Sequence, residues 1–242
     1  MDAIKTFIVD SKSSTNPELS SQVSTRISQL RQWAQSLREA QPSDDEQWQQ
    51  VIKMIDYQCL CAKSFLQGIY QLPGVTGESN ELWLEPRGLT GIIIDENMPA
   101  AAISAALSAA LICHNPVKLA VHPQLKIYVK GMLNQLLGRF CAKDAAMLID
   151  WRQWPELLQD PSLKVVCMAA TKDNLIRANR LLAIREGSLV MFLSETDPYL
   201  PSFSSETFCI GLCTEKVCTI NTTAIGGNAS LLELAATAIP MN

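Results

Sequence analysis

One stretch of the chain, residues 89–121, limits the possible folds more than any other. It opens with residues 89–95, an apolar run that carries little charge and predicts a buried strand. Residues 100–113 are rich in alanine and serine and predict a helix of small side chains that lies close against a sheet. A second strand is predicted at 117–121. Parallel strands need a crossover connection of this kind, so the pattern favours a parallel pair.

The alternation of strands and helices continues beyond this unit. The later segments predict, in order, a helix at 124–139, a strand at 146–151, a short helix at 154–158, a strand at 164–170, a helix at 172–185 and a strand at 188–194. Repeated alternation is typical of an α/β fold with a doubly wound parallel sheet. Residues 204–214 are compatible with either a strand or a helix, whereas residues 216–223 have β character and residues 226–228 predict a turn.

Two amphipathic helices are predicted before the sheet begins. Apolar residues recur at three- and four-residue spacing over residues 17–40 and again over residues 45–72. Pro42 separates the two segments, and the acidic residues after it are suited to capping the second helix. These helices are expected to pack on the core of the protein.

Composition excludes several classes of partner. The 242 residues are 48% hydrophobic and 18% charged, which indicates a folded core. A net charge of -4 and an aromatic content of 6% argue against binding to nucleic acid or to an anionic membrane surface. The longest apolar stretch, 100–113, is too short and too rich in alanine and serine for a membrane span.

The eight cysteines are expected to be reduced and mostly buried in a cytoplasmic protein. Charged residues interrupt the first 20 residues, so no secretory leader is predicted. Cys59 and Cys61 flank a single residue on a helix, which points their sulfurs apart, and the chain has only two histidines. No metal site is therefore predicted. The sequence also lacks a P-loop, a G-x-G-x-x-G segment and a G-x-S-x-G segment.

Two motifs carry a resemblance to a known family. Residues 72–80 read LPGVTGESN and resemble the LPGPTGE-x-N segment of the bifunctional proline utilisation A (PutA) family, which joins a proline dehydrogenase to a pyrroline-5-carboxylate dehydrogenase. Residues 219–231 read TINTTAIGGNASL and are similar to the close of the extra C-terminal domain of that family. The resemblance covers roughly residues 45–236. It implies a degenerate aldehyde dehydrogenase fold with a Rossmann-like core and an oligomerisation flap.

The resemblance also implies how the chain is divided. The N-terminal leader and helices span residues 1–72, the degenerate nucleotide domain residues 73–203, and the flap and tail residues 204–242, within one structural unit. Residues 84–99 look like the first strand region of an aldehyde dehydrogenase nucleotide domain, and residues 215–232 look like the superfamily's tail. The interval between them leaves no room for the separate domain that carries the catalytic cysteine.

The cofactor site of the superfamily is altered in this sequence. The family holds NAD with a lysine after the second strand and a glycine in the turn after the fourth, where a Cβ would obstruct the cofactor. Here His122 follows the second strand and Thr171 occupies the turn, while Asp95 ends the first strand. Asp95, His122 and Thr171 are vestigial candidates for contact with NAD. The structural interpretation makes His122 a surface residue and Thr171 a helix cap; no cofactor is expected, although NAD stays possible.

No catalytic residue is predicted. The general base of the family lies in an LELGG segment, and the corresponding residues 189–195 place Glu195 at the end of a strand. Glu195 is expected to be a solvated loop carboxylate. Cys209, Cys213 and Cys218 lack the GQ-x-C context of the nucleophile and are expected to be packed thiols.

Three functions follow as hypotheses. The first is a non-catalytic module of proline catabolism for assembly or for covering an active site, with itself, as a homodimer, or a proline-catabolic dehydrogenase as partner. Its contact residues would lie in the exposed strand and turn of the flap: Thr219, Ile220, Asn221, Gly226, Gly227 and Asn228. The second is an NAD(P)-binding subunit or fragment of a pyrroline-5-carboxylate or aldehyde dehydrogenase, although activity is not expected of the isolated chain. The third is a sensor of a small molecule in the vestigial crevice.

Overall fold

The computed structural model describes residues 13–14, 17–42, 44–66, 68–75 and 77–221, with backbone alone at 13–14 and 17–21. Within these residues, five strands form a parallel sheet. In spatial order they are β6 (Ala146–Ile149), β5 (Val117–Val121), β4 (Leu89–Ile94), β7 (Leu163–Ala169) and β8 (Met191–Glu195). The strand order changes direction between β4 and β7, which confirms the predicted doubly wound α/β sheet.

The central strand β4 shows why the sheet is apolar throughout. Ile92, Ile93 and Ile94 are completely buried, because helices cover both faces of a parallel sheet. Successive side chains alternate between the faces, so Ile92 and Ile94 join one apolar cluster and Ile93 joins the other. The continuous apolar run in the sequence follows from this two-sided burial.

Helices of unequal number cover the two faces. The face that receives Ile92 is covered by α1 (Pro17–Ala40), α2 (Glu46–Phe65), α3 (Ala100–Ile112) and α4 (Lys126–Leu136). The opposite face is covered by α5 (Trp154–Leu157) and α6 (Lys172–Ile184). Every residue of α3 is buried, and its small side chains allow the helix to lie between the sheet and α2. Across the described residues, no helix combines the length and the apolar character that a bilayer span requires.

A second sheet is antiparallel. Its strands, in spatial order, are β1 (Ser13–Ser14), β2 (Ile69–Leu72), β3 (Glu78–Pro86) and β9 (Cys213–Asn221). The strands β3 and β9 pair along their whole length, from Glu78 opposite Asn221 to Pro86 opposite Cys213. A 3-10 helix, Phe208–Leu212, leads into β9, so the segment 204–214 contains both helical and extended residues.

The predicted second helix is too long at its C-terminal end. The sequence predicts a helix that reaches residue 72, but α2 ends at Phe65, and residues 69–72 form β2. The phenol of Tyr70 donates a hydrogen bond to the Phe65 carbonyl at 2.8 Å, and Tyr70 lies opposite Leu82 of β3. Pairing with β3 therefore decides the conformation of this segment, since strand formation depends on tertiary neighbours.

Candidate functional site

The three residues predicted for the cofactor site lie at the carboxyl end of the parallel sheet. Asp95 follows β4, His122 follows β5 and Thr171 follows β7, on three adjacent strands. The backbone N–H of Asp95 donates to the Ala169 carbonyl at 2.9 Å, and that of His122 donates to the Ile94 carbonyl at 2.9 Å. The residues surround the point where the strand order reverses, where open α/β sheets bind ligands.

The carboxylate of Asp95 is used within the protein. Asp95 is buried, with only 5% of the residue exposed. One oxygen, Oδ1, accepts a hydrogen bond from the Glu96 N–H at 2.9 Å, and the other, Oδ2, accepts one from the Asn174 side-chain amide at 2.7 Å. Asn174, in the first turn of α6, is a residue that the sequence does not predict for this site. Its signal was weak, because only its position three residues after Thr171 placed it near the sheet edge.

Thr171 caps α6, as predicted. Its backbone is extended, with φ -60° and ψ 153°, and its hydroxyl oxygen accepts a hydrogen bond from the Asn174 N–H at 3.5 Å. The preceding residue, Ala170, is completely buried. Thr171 and Asp95 are thus both hydrogen-bonded to Asn174. These contacts engage both side chains with the protein itself.

His122 makes contacts on the neighbouring side of the crevice. Its Nε2 lies 3.5 Å from the Glu96 carboxylate, and its ring meets the Trp151 ring edge-on at a centroid distance of 5.5 Å. Its Nδ1 accepts a hydrogen bond from the Gln124 N–H at 3.5 Å. Four cavities are formed by the described residues on other parts of the surface, and Asp95, His122 and Thr171 line none of these four.

The expectation that Glu195 is a solvated loop carboxylate is wrong. Glu195 is 3% exposed and ends β8. Its Oε1 accepts hydrogen bonds from the N–H groups of Thr196 and Asp197, at 2.8 and 2.9 Å, and its Oε2 accepts one from Ser202 at 2.7 Å. The loop folds back over the end of the strand because Phe203 is buried, and this carries the carboxylate out of water.

The cysteines of the C-terminal region behave as packed thiols. Cys209 and Cys213 are buried and Cys218 is half-buried, and all eight cysteines of the chain are free of disulfide bonds. Burial raises the pKa of Cys209 far above its ordinary value. Hydrogen bonding to Cys213, together with burial, raises the pKa of Cys113. The thiols of Cys113 and Cys209 are therefore protonated at neutral pH, which disfavours nucleophilic chemistry at these two residues.

The predicted partner segment falls partly within the described residues. Thr219, Ile220 and Asn221 are the last residues of β9, whereas the predicted turn at Gly226, Gly227 and Asn228 lies outside them. The strand does not project alone, because β3 pairs with it along one edge. It forms the outermost strand of the described antiparallel sheet, so its other edge has no described strand beside it.

The outer part of β9 exposes apolar side chains. Val217 is 57% exposed and Ile220 is 36% exposed. Charged side chains occur earlier in the strand, at Glu215 and Lys216, and Lys216 lies 3.9 Å from the Glu85 carboxylate of β3. Charges on an edge strand discourage pairing with other chains. That protection is missing from residues 217–220, which contain neither charge nor proline.

Comparison with proteins of known structure identifies the fold of this chain. No protein-family model and no curated protein sequence matches this chain. A point mutant of PutA from Bradyrhizobium japonicum is similar with a TM-score of 0.64 and 21% identity over 81% of this chain and 24% of that protein. PutA from Bdellovibrio bacteriovorus, inactivated by N-propargylglycine, has a TM-score of 0.65 and 14% identity over 72% of this chain and 20% of that protein.

A semialdehyde dehydrogenase is also similar in structure. Succinic semialdehyde dehydrogenase from Streptococcus pyogenes, solved with NADP+, has a TM-score of 0.60 and 15% identity over 71% of this chain and 41% of that protein. These matches confirm the aldehyde dehydrogenase-like fold. The chain spans about a quarter of PutA and two-fifths of the semialdehyde dehydrogenase.

Proposed function

We propose that this chain is a non-catalytic aldehyde dehydrogenase-like module that acts by association. Its partner would be a second copy of the chain or a dehydrogenase of proline catabolism. The proposal rests on two observations. Polar groups at the carboxyl end of the parallel sheet bond to one another, and residues 217–220 on the outer edge of β9 expose apolar side chains.

The carboxyl end of the sheet supports the non-catalytic part of the proposal. Asp95 and Thr171 share Asn174 as a hydrogen-bond partner, and Glu195 binds three backbone N–H groups of its own loop. A general base must accept a proton from a substrate, and a buried carboxylate with both oxygens already bonded is poorly suited to that role. The lysine and glycine of the resembled cofactor site are also missing.

The outer edge of β9 is the observation that carries the proposal. A strand at the edge of a sheet presents unpaired N–H and C=O groups on one side, and a strand from another protein can pair with them. Val217 and Ile220 add exposed apolar surface to this edge. In the resembled PutA family the corresponding segment belongs to an oligomerisation flap, which agrees with use of this edge for association.

Replacement of Ile220 by lysine tests the proposal. The solution mass of the chain is measured by light scattering, alone and mixed with a purified PutA-type dehydrogenase. We expect the native chain to form a dimer or a complex, and Ile220→Lys to weaken that association by about tenfold or more, because a charge at the edge opposes strand pairing. Ile127→Lys is the matched control, since Ile127 is 70% exposed and lies on α4, outside the antiparallel sheet that contains β9.

The possible results of this experiment distinguish the edge of β9 from other surfaces as the site of association. A native chain that stays monomeric in both conditions contradicts the proposed function. Equal association of the native chain and Ile220→Lys contradicts the assignment of β9 as the contact. Circular dichroism of both variants shows whether the fold is retained, which we expect because Ile220 lies at the exposed end of β9.

A further inference from the structure

A second candidate for binding lies at the opposite end of the parallel sheet. A cavity of about 850 Å³ opens beside the amino ends of β5 and β6, where Pro116 and Ala145 precede the strands. Residues of α1 form one wall, and the segment that follows α4 forms another. We name this space the amino-end cavity. It is separate from the crevice of Asp95, His122 and Thr171.

Arg26 of α1 provides a half-buried cation in the amino-end cavity. Its Nε donates a hydrogen bond to the Ile112 carbonyl at 2.7 Å, which fixes the guanidinium at the C-terminal end of α3. No carboxylate among the described residues lies within ion-pair distance of Arg26. Burial lowers the pKa of Arg26, as expected for a cation that has lost water without gaining an anionic partner.

The hydrogen bond to the Ile112 carbonyl accounts for only one of the three nitrogen groups of the Arg26 guanidinium. A basic side chain at a helix C-terminus satisfies a free carbonyl and interacts favourably with the helix dipole. That role uses Nε. The two Nη groups of the guanidinium make no hydrogen bond to any of the described residues. The planar fork of an arginine binds a carboxylate or a phosphate through two parallel hydrogen bonds.

Arg139 supplies a second cation to the same cavity. Its guanidinium lies 5.4 Å from the centre of the Phe140 ring, and its Nη1 donates to Ser36 and Gln135, at 3.2 and 3.1 Å. These partners are neutral. Among the residues that line the cavity, Asp144 is the acidic one, so two arginines against one aspartate give a formal charge of +1.

We propose that the amino-end cavity binds a small oxyanion, a carboxylate or a phosphate group, with Arg26 as the inner ligand and Arg139 at the mouth. The ligand would supply the negative charge that the described residues do not place beside Arg26. Such a site would give the module a small-molecule ligand independent of its association through β9.

Calorimetric titration with inorganic phosphate and with succinate tests this site. Ionic strength is held constant with chloride, so that general screening does not contribute to the signal. We expect saturable binding of at least one probe, and the tighter probe identifies the ligand as phosphate-like or carboxylate-like. Arg26→Gln is expected to weaken binding by about tenfold to a hundredfold, since a hydrogen-bonded charge is lost.

The control and a second variant separate binding from folding. Arg31→Gln makes the same charge change on an exposed residue of α1 outside the cavity and should leave binding unchanged. Arg139→Gln alters an exposed residue, so it tests the site if Arg26→Gln fails to fold. The half-buried Cys141 lines the cavity, and a bound anion should slow its alkylation, as shown by peptide mass spectrometry.

Two results would overturn the proposal. One is the lack of saturable binding by the native chain with either probe. The other is an equal loss of binding in Arg26→Gln, Arg139→Gln and Arg31→Gln, which would mean that the anions respond to net charge alone. Neither result depends on whether the chain associates through β9.

Discussion

At the residue scale, two carboxylates at the carboxyl end of the parallel sheet accept hydrogen bonds from the protein's own backbone and side chains. Asp95 bonds to Asn174, and Glu195 bonds to three N–H groups of its loop. Both residues are at most 5% exposed. A buried ionised group needs such partners, because leaving it without them costs several kcal/mol. Their contribution is therefore to stability.

Glu195→Gln should destabilise the fold. The amide that replaces one carboxylate oxygen would face backbone N–H donors, and the charge-assisted hydrogen bonds would be lost. We expect the free energy of unfolding in urea to fall by about 1–3 kcal/mol. Asp197→Asn is the control, because Asp197 is exposed and its side chain accepts a single hydrogen bond, from the Tyr199 N–H at 2.9 Å. An equal loss in the two variants would contradict the role assigned to Glu195.

The sequence predicted local interactions at this scale better than tertiary ones. Thr171 was identified as a helix cap because the cap depends on its immediate neighbours. Glu195 was misjudged because its burial depends on how a later loop, anchored by Phe203, folds over the strand end. Asn174 was missed for the same reason, since its partner Asp95 lies far away in the sequence.

At the scale of elements, an ion pair joins β5 to the segment before β7. The Nζ of Lys118 lies 2.7 Å from Oδ2 of Asp160, and the hydrogen bonds from Lys118 and Ser162 lower the pKa of Asp160 to about 2. A carboxyl whose pKa is depressed in the folded state stabilises that state above its unfolded pKa, and the contribution disappears as the pH falls through the folded pKa.

Lys118→Met should therefore have a pH-dependent effect. We expect a loss of stability relative to the native chain at neutral pH, and a difference that shrinks between about pH 4 and about pH 2. The Asp160 pKa, followed by NMR, should rise toward its ordinary value. Lys130→Met provides the control on an exposed lysine. A difference in stability that stays constant down to pH 2 would contradict the ion-pair explanation.

The packing of α2 against α4 makes a separate prediction. A Cβ at Gly131 would lie 2.8 Å from Trp48, a buried ring that also packs on Tyr128. Alanine in a helix gains up to about 1 kcal/mol over glycine, whereas overpacking costs about 1–3 kcal/mol. Gly131→Ala should therefore destabilise the protein in thermal or urea unfolding.

The same substitution in a Trp48→Phe background identifies the cause of that loss of stability. In Trp48→Phe the atoms nearest to Gly131 are removed, so Gly131→Ala should become neutral or stabilising there. Destabilisation of the same size in both backgrounds would show that contact with the Trp48 ring is not responsible.

The elements also show which patterns a sequence reveals. The parallel strands were predicted closely, because burial on both faces produces apolar runs separated by helices. The sequence predicts a helix end where β2 forms, because its partner β3 is needed to hold residues 69–72 extended. The pairing of β3 with β9 joins segments that are more than a hundred residues apart in the sequence, and nothing local indicates it.

At the scale of the whole molecule, three surfaces have different properties. The carboxyl end of the parallel sheet is occupied by internal hydrogen bonds, the outer edge of β9 is exposed, and the amino-end cavity contains two arginines. The similar structures share the fold at low sequence identity and are much longer than this chain. The proposed function accordingly rests on the first two of these surfaces, and no catalytic activity is transferred from the longer proteins.

The claim that this chain has kept the fold but lost the cofactor site is tested most directly by calorimetric titration with NAD and NADH. The native chain is used, and its solution mass is determined by light scattering. A chain that has kept the fold without the cofactor site should give no saturable binding of either dinucleotide. Saturable binding that is weakened by Thr171→Ala or His122→Ala would contradict this account. It would instead support the alternative of an NAD(P)-binding subunit of an aldehyde dehydrogenase.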